Sequence, residues 1–132
     1  MFKSAMIISE FMGQIREKIK IKGNEIEAII DTGSDHVVID ESVLERIGIK
    51  PAKQEIASFA DESRRKVNVY LEDVEIRTYK IPAVVIVGGK KNLLGRSILQ
   101  QLGAKIDQES DTITYTRHPT GVIEIPSVEL ED

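Results

Sequence analysis

The tetrapeptide Asp31-Thr32-Gly33-Ser34 combines one carboxylate, two hydroxyls and a glycine, and it follows directly after a run of apolar residues. A carboxylate in that position is a poor choice for core packing, but it can serve as a general acid or base. Gly33 permits a close backbone approach that a side chain would block, and the hydroxyls of Thr32 and Ser34 lie beside the acid. The pattern makes Asp31 a candidate catalytic residue. The same residues are also ordinary turn formers, so a turn without function is the alternative.

Strands are the predicted elements around this acid. Apolar and charged residues alternate over residues 15–21, and a second such run at 26–30 follows a turn at 22–24, which predicts a β-hairpin. The second strand ends in consecutive apolar residues, which is typical of a strand buried on both faces. Further strands are predicted at residues 53–59, 66–70, 74–79, 83–87 and 112–116. The fold is therefore predicted to be mostly β.

Two short helices interrupt the strands. Asp40 can cap the first helix, and Gly48 can end it. The second helix is predicted from about residue 96 to 102, and Gly103 supplies the same kind of left-handed stop.

Composition excludes several classes of function. The chain has 132 residues, 41% of them hydrophobic and 30% charged, and no apolar run approaches the length of a membrane-spanning helix. There is no cysteine, so disulfides, thiolate metal sites and a cysteine nucleophile are excluded. The net charge is −4 and there is no long basic stretch, which argues against nucleic acid as a partner. Residues 1–12 lack a clear signal-peptide cleavage pattern. We expect a cytoplasmic protein with no membrane partner.

Two segments carry a resemblance to a known family. Residues 28–38, reading Ala-Ile-Ile-Asp-Thr-Gly-Ser-Asp-His-Val-Val, resemble the active-site segment of retropepsins and their cellular relatives. Residues 92–99, reading Asn-Leu-Leu-Gly-Arg-Ser-Ile-Leu, are similar to that family's second signature. The resemblance implies a closed β-barrel of the retropepsin-like (acid protease) type with one or two short helices. Its implied organisation is an N-terminal extension at 1–12, a protease domain at 13–117 and a C-terminal tail at 118–132.

In that family Asp31 would be the catalytic aspartate, and Thr32 would hydrogen-bond across a dimer axis. Gly33 would contact the substrate backbone. A Ser34 hydroxyl that donates to the ionised carboxylate would stabilise its charged form, which predicts an acidic pH optimum.

The resemblance also assigns residues around the acid. Asp35 and Arg96 would pair within each subunit and brace the dimer, although two solvated surface charges are the alternative. His36, Val38 and Leu93 would line the substrate groove.

The segment 57–63 lies where the family carries the flap that covers the substrate, with its tip at Phe59, Ala60, Asp61 and Glu62. It departs from viral flaps because it contains no glycine. An ordinary exposed hairpin turn is the alternative interpretation.

Only one Asp-Thr-Gly is present, and 132 residues is about half of a two-lobed aspartic protease, so two chains must supply the two carboxylates. Neighbouring carboxylates share one proton, and the pair can activate a water against a peptide bond. No metal or cofactor is required. We therefore predict a homodimeric aspartic endopeptidase whose partners are itself and a peptide or protein substrate. The alternatives are a catalytically inactive retropepsin-like domain for dimerisation or peptide binding, and an unrelated small barrel with a chance turn motif.

Overall fold

The computed structural model describes residues 15–58, 61–116 and 123–124. Their elements follow one another as β1 (Arg16–Ile21), β2 (Asn24–Ile30), β3 (Val37–Asp40), α1 (Glu41–Arg46), β4 (Lys53–Ser58), β5 (Arg64–Ile76), β6 (Tyr79–Gly89), β7 (Leu93–Leu94), α2 (Arg96–Gln101), β8 (Ala104–Asp107), β9 (Thr112–Tyr115) and β10 (Ile123–Glu124). In this described part of the chain, neither helix is long and apolar enough to cross a membrane.

Six strands close into a barrel. They follow the order β1, β2, β7, β3, β6 and β5, and the ring closes because β5 pairs with both β6 and β1. β4 extends the sheet from β5 as a hairpin, β10 adds to β6, and β8 and β9 form a separate two-stranded sheet. The predicted fold class, mostly β with a closed barrel and two short helices, is confirmed.

The alternating sequence of the first strand explains its position in the barrel. Ile19 and Ile21 are buried in the core, whereas Lys18 and Lys20 are exposed. The predicted hairpin of β1 and β2 is present, and its turn falls at Lys22 and Gly23, both with positive φ as a tight hairpin turn requires.

β5 corrects the prediction of separate strands at 66–70 and 74–79, because Arg64–Ile76 is one continuous strand. Its register against β6 shifts between Glu72 and Val74, so the two acidic residues there belong to a bulge and not to a turn. The Asp73 carboxylate accepts a hydrogen bond from the Ala83 amide at 3.0 Å across this bulge. The chain reverses later, between Ile76 and Tyr79.

The short helices begin and end where predicted. Asp40 caps α1, since its Oδ1 accepts from the Ser42 amide at 2.8 Å and from the Ser42 hydroxyl at 2.6 Å. These hydrogen bonds from Ser42 lower the pKa of Asp40. Gly48 and Gly103 follow the two helices with φ of +79° and +58°, the left-handed conformation that ends a helix.

Candidate active site

Asp31 lies where β2 ends beside β7. The parallel pairing of these strands aligns Ile30 with Leu94, and the next backbone amide, that of Asp31, donates to the Leu94 carbonyl at 3.0 Å. The chain then turns, because the Ser34 amide donates to the Asp31 carbonyl at 3.1 Å. Two strands distant in sequence therefore fix the backbone of the candidate catalytic residue.

The Asp31 carboxylate is itself oriented by the turn. Its Oδ1 accepts a hydrogen bond from the Gly33 amide at 2.9 Å. A Cβ at Gly33 would lie 3.2 Å from the same oxygen, tighter than most real contacts. Asp31 is half-buried, while Thr32 and Gly33 are exposed. The acid is thus positioned and accessible, as a group that meets a substrate must be.

The start of α2 packs against this turn through backbone atoms. The Arg96 amide donates to the Ser34 carbonyl at 2.8 Å, and the Ser97 amide donates to the Asp35 carbonyl at 3.1 Å. The helix has no side-chain cap, so these carbonyls satisfy amides that a cap would otherwise bind. A Cβ at Gly95 would lie 2.5 Å from the Ser34 carbonyl oxygen. Glycine at this position therefore permits the close packing of helix and turn.

Arg96 and Asp35 also form an ion pair, in addition to the backbone hydrogen bonds between α2 and the turn. The Arg96 guanidinium donates to Asp35 Oδ1, and both side chains are largely exposed to solvent. The hydrogen bond and the charge of Arg96 lower the pKa of Asp35. The structure thus brings together two residues from the two sequence motifs.

The Ser34 hydroxyl is oriented differently from the prediction. It donates to the His36 backbone carbonyl at 2.9 Å, two residues along the chain, instead of to the Asp31 carboxylate. Such local bonds from serine to a nearby carbonyl are common in turns. In this conformation Ser34 stabilises the turn and not the charge on the acid.

Asn92 is a positioning residue whose role was not predicted from the sequence. Its side-chain oxygen accepts from the Asp40 amide at 2.8 Å, and its side-chain nitrogen donates to the Glu27 carbonyl at 3.3 Å. Its backbone carbonyl accepts from the Ile29 amide at 2.9 Å. Asn92 therefore joins β2 and β3 just before β7 begins. An amide side chain directly before an apolar pair was the available signal, because amides can replace backbone partners.

The predicted groove residues divide into two groups. Val38 in β3 and Leu93 in β7 pair directly across the antiparallel ladder, so their half-buried side chains share one face. His36 is exposed in the turn that precedes β3.

The predicted flap tip is partly described. Asp61 Oδ1 accepts from the Ser63 amide at 3.0 Å and from the Ser63 hydroxyl at 2.5 Å, and these bonds lower the pKa of Asp61. Glu62 has φ of +66°, a conformation that glycine usually supplies. Phe59 and Ala60 lie outside the described residues. The flap tip has no glycine, and Glu62 instead adopts the strained left-handed backbone conformation there.

A surface cleft of about 380 Å³ opens beside the turn. Its lining includes the exposed Thr32, Arg96 and three apolar residues that follow in α2 and β8. The lining residues are Thr32, Arg96, Leu99, Gln100, Gly103, Ala104 and Ile106. Within the described ranges, no group of three or more histidine, aspartate or glutamate side chains could hold a metal ion.

Comparison with known proteins agrees with this geometry. A family model described as gag-polyprotein putative aspartyl protease matches residues 18–101, nearly two thirds of the chain. The match contains Asp31, the β4–β5 hairpin and Gly95 with Arg96. No curated protein matches the chain. The interpretation of the Asp-Thr-Gly segment as a chance turn in an unrelated barrel is therefore wrong. The matched span and the closed barrel around Asp31 show that the chain belongs to the retropepsin-like aspartic protease family.

Proposed function

We propose that this protein is an aspartic endopeptidase that acts as a homodimer, with one Asp31 from each subunit. The observation that carries the proposal is the accessible Asp31 carboxylate, whose Oδ1 is oriented by the Gly33 amide at 2.9 Å. A family of aspartyl proteases matches this region, and an oriented acid at an exposed turn is the group that such chemistry needs.

A second copy of the chain would complete the site. Peptide hydrolysis by this route needs one carboxylate as base and another as acid, and the sequence contains one Asp-Thr-Gly segment. A two-fold axis beside Thr32 would bring two identical turns face to face. The apolar lining of the cleft at Thr32, with Leu99 and Ile106, supports packing of a partner there. In that arrangement the Thr32 hydroxyls would bond across the axis.

The paired carboxylates would share one proton, because two negative charges a few ångströms apart repel each other. The ionised Asp31 takes a proton from water while the water oxygen bonds to the peptide carbonyl carbon. The protonated Asp31 of the other subunit donates its proton to the carbonyl oxygen. The tetrahedral intermediate then collapses as the C–N bond breaks and a proton passes to the leaving nitrogen.

The surrounding residues would hold this pair and its substrate. Val38 and Leu93 share a face suited to apolar substrate side chains, and the exposed His36 lies at its edge. The Asp35–Arg96 pair would brace the turn against α2. The β4–β5 hairpin, with Asp61 at its turn, would cover the bound peptide.

A catalytically inactive domain for dimerisation or peptide binding is the second candidate. The observation in its favour is the flap tip, which has no glycine and carries a glutamate with positive φ. An intact Asp31-Thr32-Gly33 segment favours the enzyme.

Cleavage of a denatured protein or a peptide library, measured between about pH 3 and 7, tests the proposal. The native protein should cleave and be inhibited by a pepstatin-type inhibitor, whereas Asp31→Asn should be inactive. Cleavage that survives in Asp31→Asn would contradict the role of Asp31. A dimer that cleaves nothing would favour the binding domain, and an active species with the mass of one chain would exclude the shared site.

A further inference from the structure

The hairpin of β4 and β5 has two chemically different faces. Its register pairs Ile56 with Lys66 and Ser58 with Arg64, so these four side chains lie on one face. Side chains alternate along a strand, which places Tyr70 on the same side as Lys66. Tyr70 is 2% exposed and packs in the barrel core. The face that carries Arg64 and Lys66 is therefore a continuation of the inner surface of the barrel wall, and we call it the inner hairpin face.

Within the part of the chain that the structure describes, the inner hairpin face carries two cations, Arg64 and Lys66, and no acid paired with them. Arg64 and Lys66 are both exposed, and among the described residues neither forms a salt bridge. The polar neighbours further along this face bind each other, since the Gln54 side chain donates to Asn68 at 3.0 Å. Ile56, 69% exposed, lies across from Lys66.

The opposite face of the hairpin, which we call the outer hairpin face, carries Lys53, Glu55 and Arg65, and its cations have acidic neighbours. There Lys53 lies 2.6 Å from the Glu55 carboxylate. Arg65, on the same outer face, contributes to the lowered pKa of Asp61 through its charge. The cations of the outer hairpin face thus have acidic neighbours, whereas Arg64 and Lys66 form no salt bridge with any described residue.

We propose that Arg64 and Lys66 are specificity-determining residues that select peptides with acidic side chains beside the scissile bond. This inference rests on the proposed function, because it requires the hairpin to cover a bound peptide. An extended peptide below the hairpin would place a carboxylate against one cation and an apolar side chain against Ile56. Unpaired cations facing a substrate favour a complementary charge and disfavour a positive one.

The expected effect is moderate, because both cations are exposed to solvent. Each pairing of an exposed cation with a carboxylate should raise kcat/KM about two- to fivefold. The preference should shrink as salt is raised, since the screening length falls from about 8 Å at physiological ionic strength to about 3 Å at 1 M.

The test uses paired peptides that differ only by Glu or Gln at positions flanking the cleaved bond. The native protein is compared with the double variant Arg64→Gln, Lys66→Gln and with the matched control Arg65→Gln, which removes a cation from the outer face. Native protein and Arg65→Gln should prefer the Glu peptide, and the double variant should lose that preference, so that it cleaves the two peptides with the same kcat/KM. An unchanged preference in the double variant, an equal loss in Arg65→Gln, or a preference insensitive to salt would overturn the proposal.

Failure of the inference and failure of the proposed function give different results. If the native protein cleaves both peptides equally, the enzyme stands and the selectivity does not. If it cleaves neither of these peptides nor any member of the peptide library, the proposed function fails, and fluorescence anisotropy of the labelled peptides with Asp31→Asn protein decides the inference. Tighter binding of the Glu peptide that is lost in the double variant would support it, and equal binding would refute it.

Discussion

Substitution of Gly95 by alanine should damage the candidate active site although the backbone there suits any residue. Gly95 has φ of −94° and ψ of −175°, an extended conformation without strain for alanine. The new methyl group would lie 2.5 Å from the Ser34 carbonyl oxygen and closer still to the His36 carbonyl oxygen. Both neighbours are backbone atoms of the turn that follows Asp31, so the turn and α2 must separate to exceed 3.0 Å.

The magnitude follows from what that separation breaks. Overpacking of a tight contact costs about 1–3 kcal/mol. The displaced helix also weakens the bonds from the Arg96 and Ser97 amides to the turn carbonyls, each worth about 0.5–1.5 kcal/mol. We therefore expect the free energy of unfolding to fall by about 2–6 kcal/mol. Displacement of the acid by about 1 Å should also lower kcat by about 100-fold.

Urea unfolding and peptide cleavage measure the two effects separately. Gly23→Ala is the matched control, because its methyl group meets nothing within 4 Å and its cost comes only from the positive φ of +77°. The control should lose about 1 kcal/mol of stability and keep its kcat. Gly95→Ala protein with native stability, or with a kcat no lower than that of the control, would refute the reasoning.

Substitutions at three further residues test hydrogen bonds elsewhere in the barrel and around the site. Asn92→Ala should lower the free energy of unfolding by about 1–3 kcal/mol, because it leaves strand groups without partners; Asn92→Asp, which keeps the acceptor oxygen, should lose less in the same urea titration. Burial and the hydrogen bond to Glu41 raise the pKa of Tyr70 to about 12. The stability linked to this group is therefore complete below about pH 10 and is lost as pH rises toward 12. Tyr70→Phe should remove that alkaline loss, and a pH dependence of unfolding that is the same in the variant and the native protein would contradict it. Arg96→Gln should return the lowered pKa of Asp35 toward its ordinary value, and NMR titration of the carboxyl group measures this change. In the native protein, the stability that comes from this ion pair is present above the ordinary pKa of an aspartate and is lost as pH falls through the lowered pKa of Asp35.

Local patterns predicted the elements whose causes are local. The alternation in residues 15–30 predicted the first hairpin, because a two-sided strand needs one apolar face. Asp40 and Gly48 predicted the bounds of α1, because a carboxylate cap and a left-handed glycine act within one turn of helix. Asp31 was identified as the candidate catalytic residue from residues adjacent in sequence, and that role stays a prediction.

Features that depend on distant partners were not predictable in this way. The acidic pair at the bulge resembles a turn until β6 is present to continue the ladder past it. β7 has only two residues, too few for any periodicity, and it exists because β2 and β3 both pair with it. The role of Asn92 and the acceptor of the Ser34 hydroxyl likewise depend on which backbone groups the fold brings near them.

The two-residue strand β7 has a consequence for how activity develops during folding. Its first residue, Leu93, pairs with Ile29, more than sixty positions away in the chain. The carbonyl of its second residue, Leu94, accepts a hydrogen bond from the Asp31 amide. Contacts of such long separation form late, because the entropy of closing the loop must be lost before the contact can stabilise anything. We therefore expect Asp31 to reach its final geometry only after most of the barrel has been synthesised and has folded. On the proposed function, a nascent chain that exposes Asp31 early should be unable to cleave unfolded chains nearby, and proteolytic activity should appear together with the native barrel in refolding experiments.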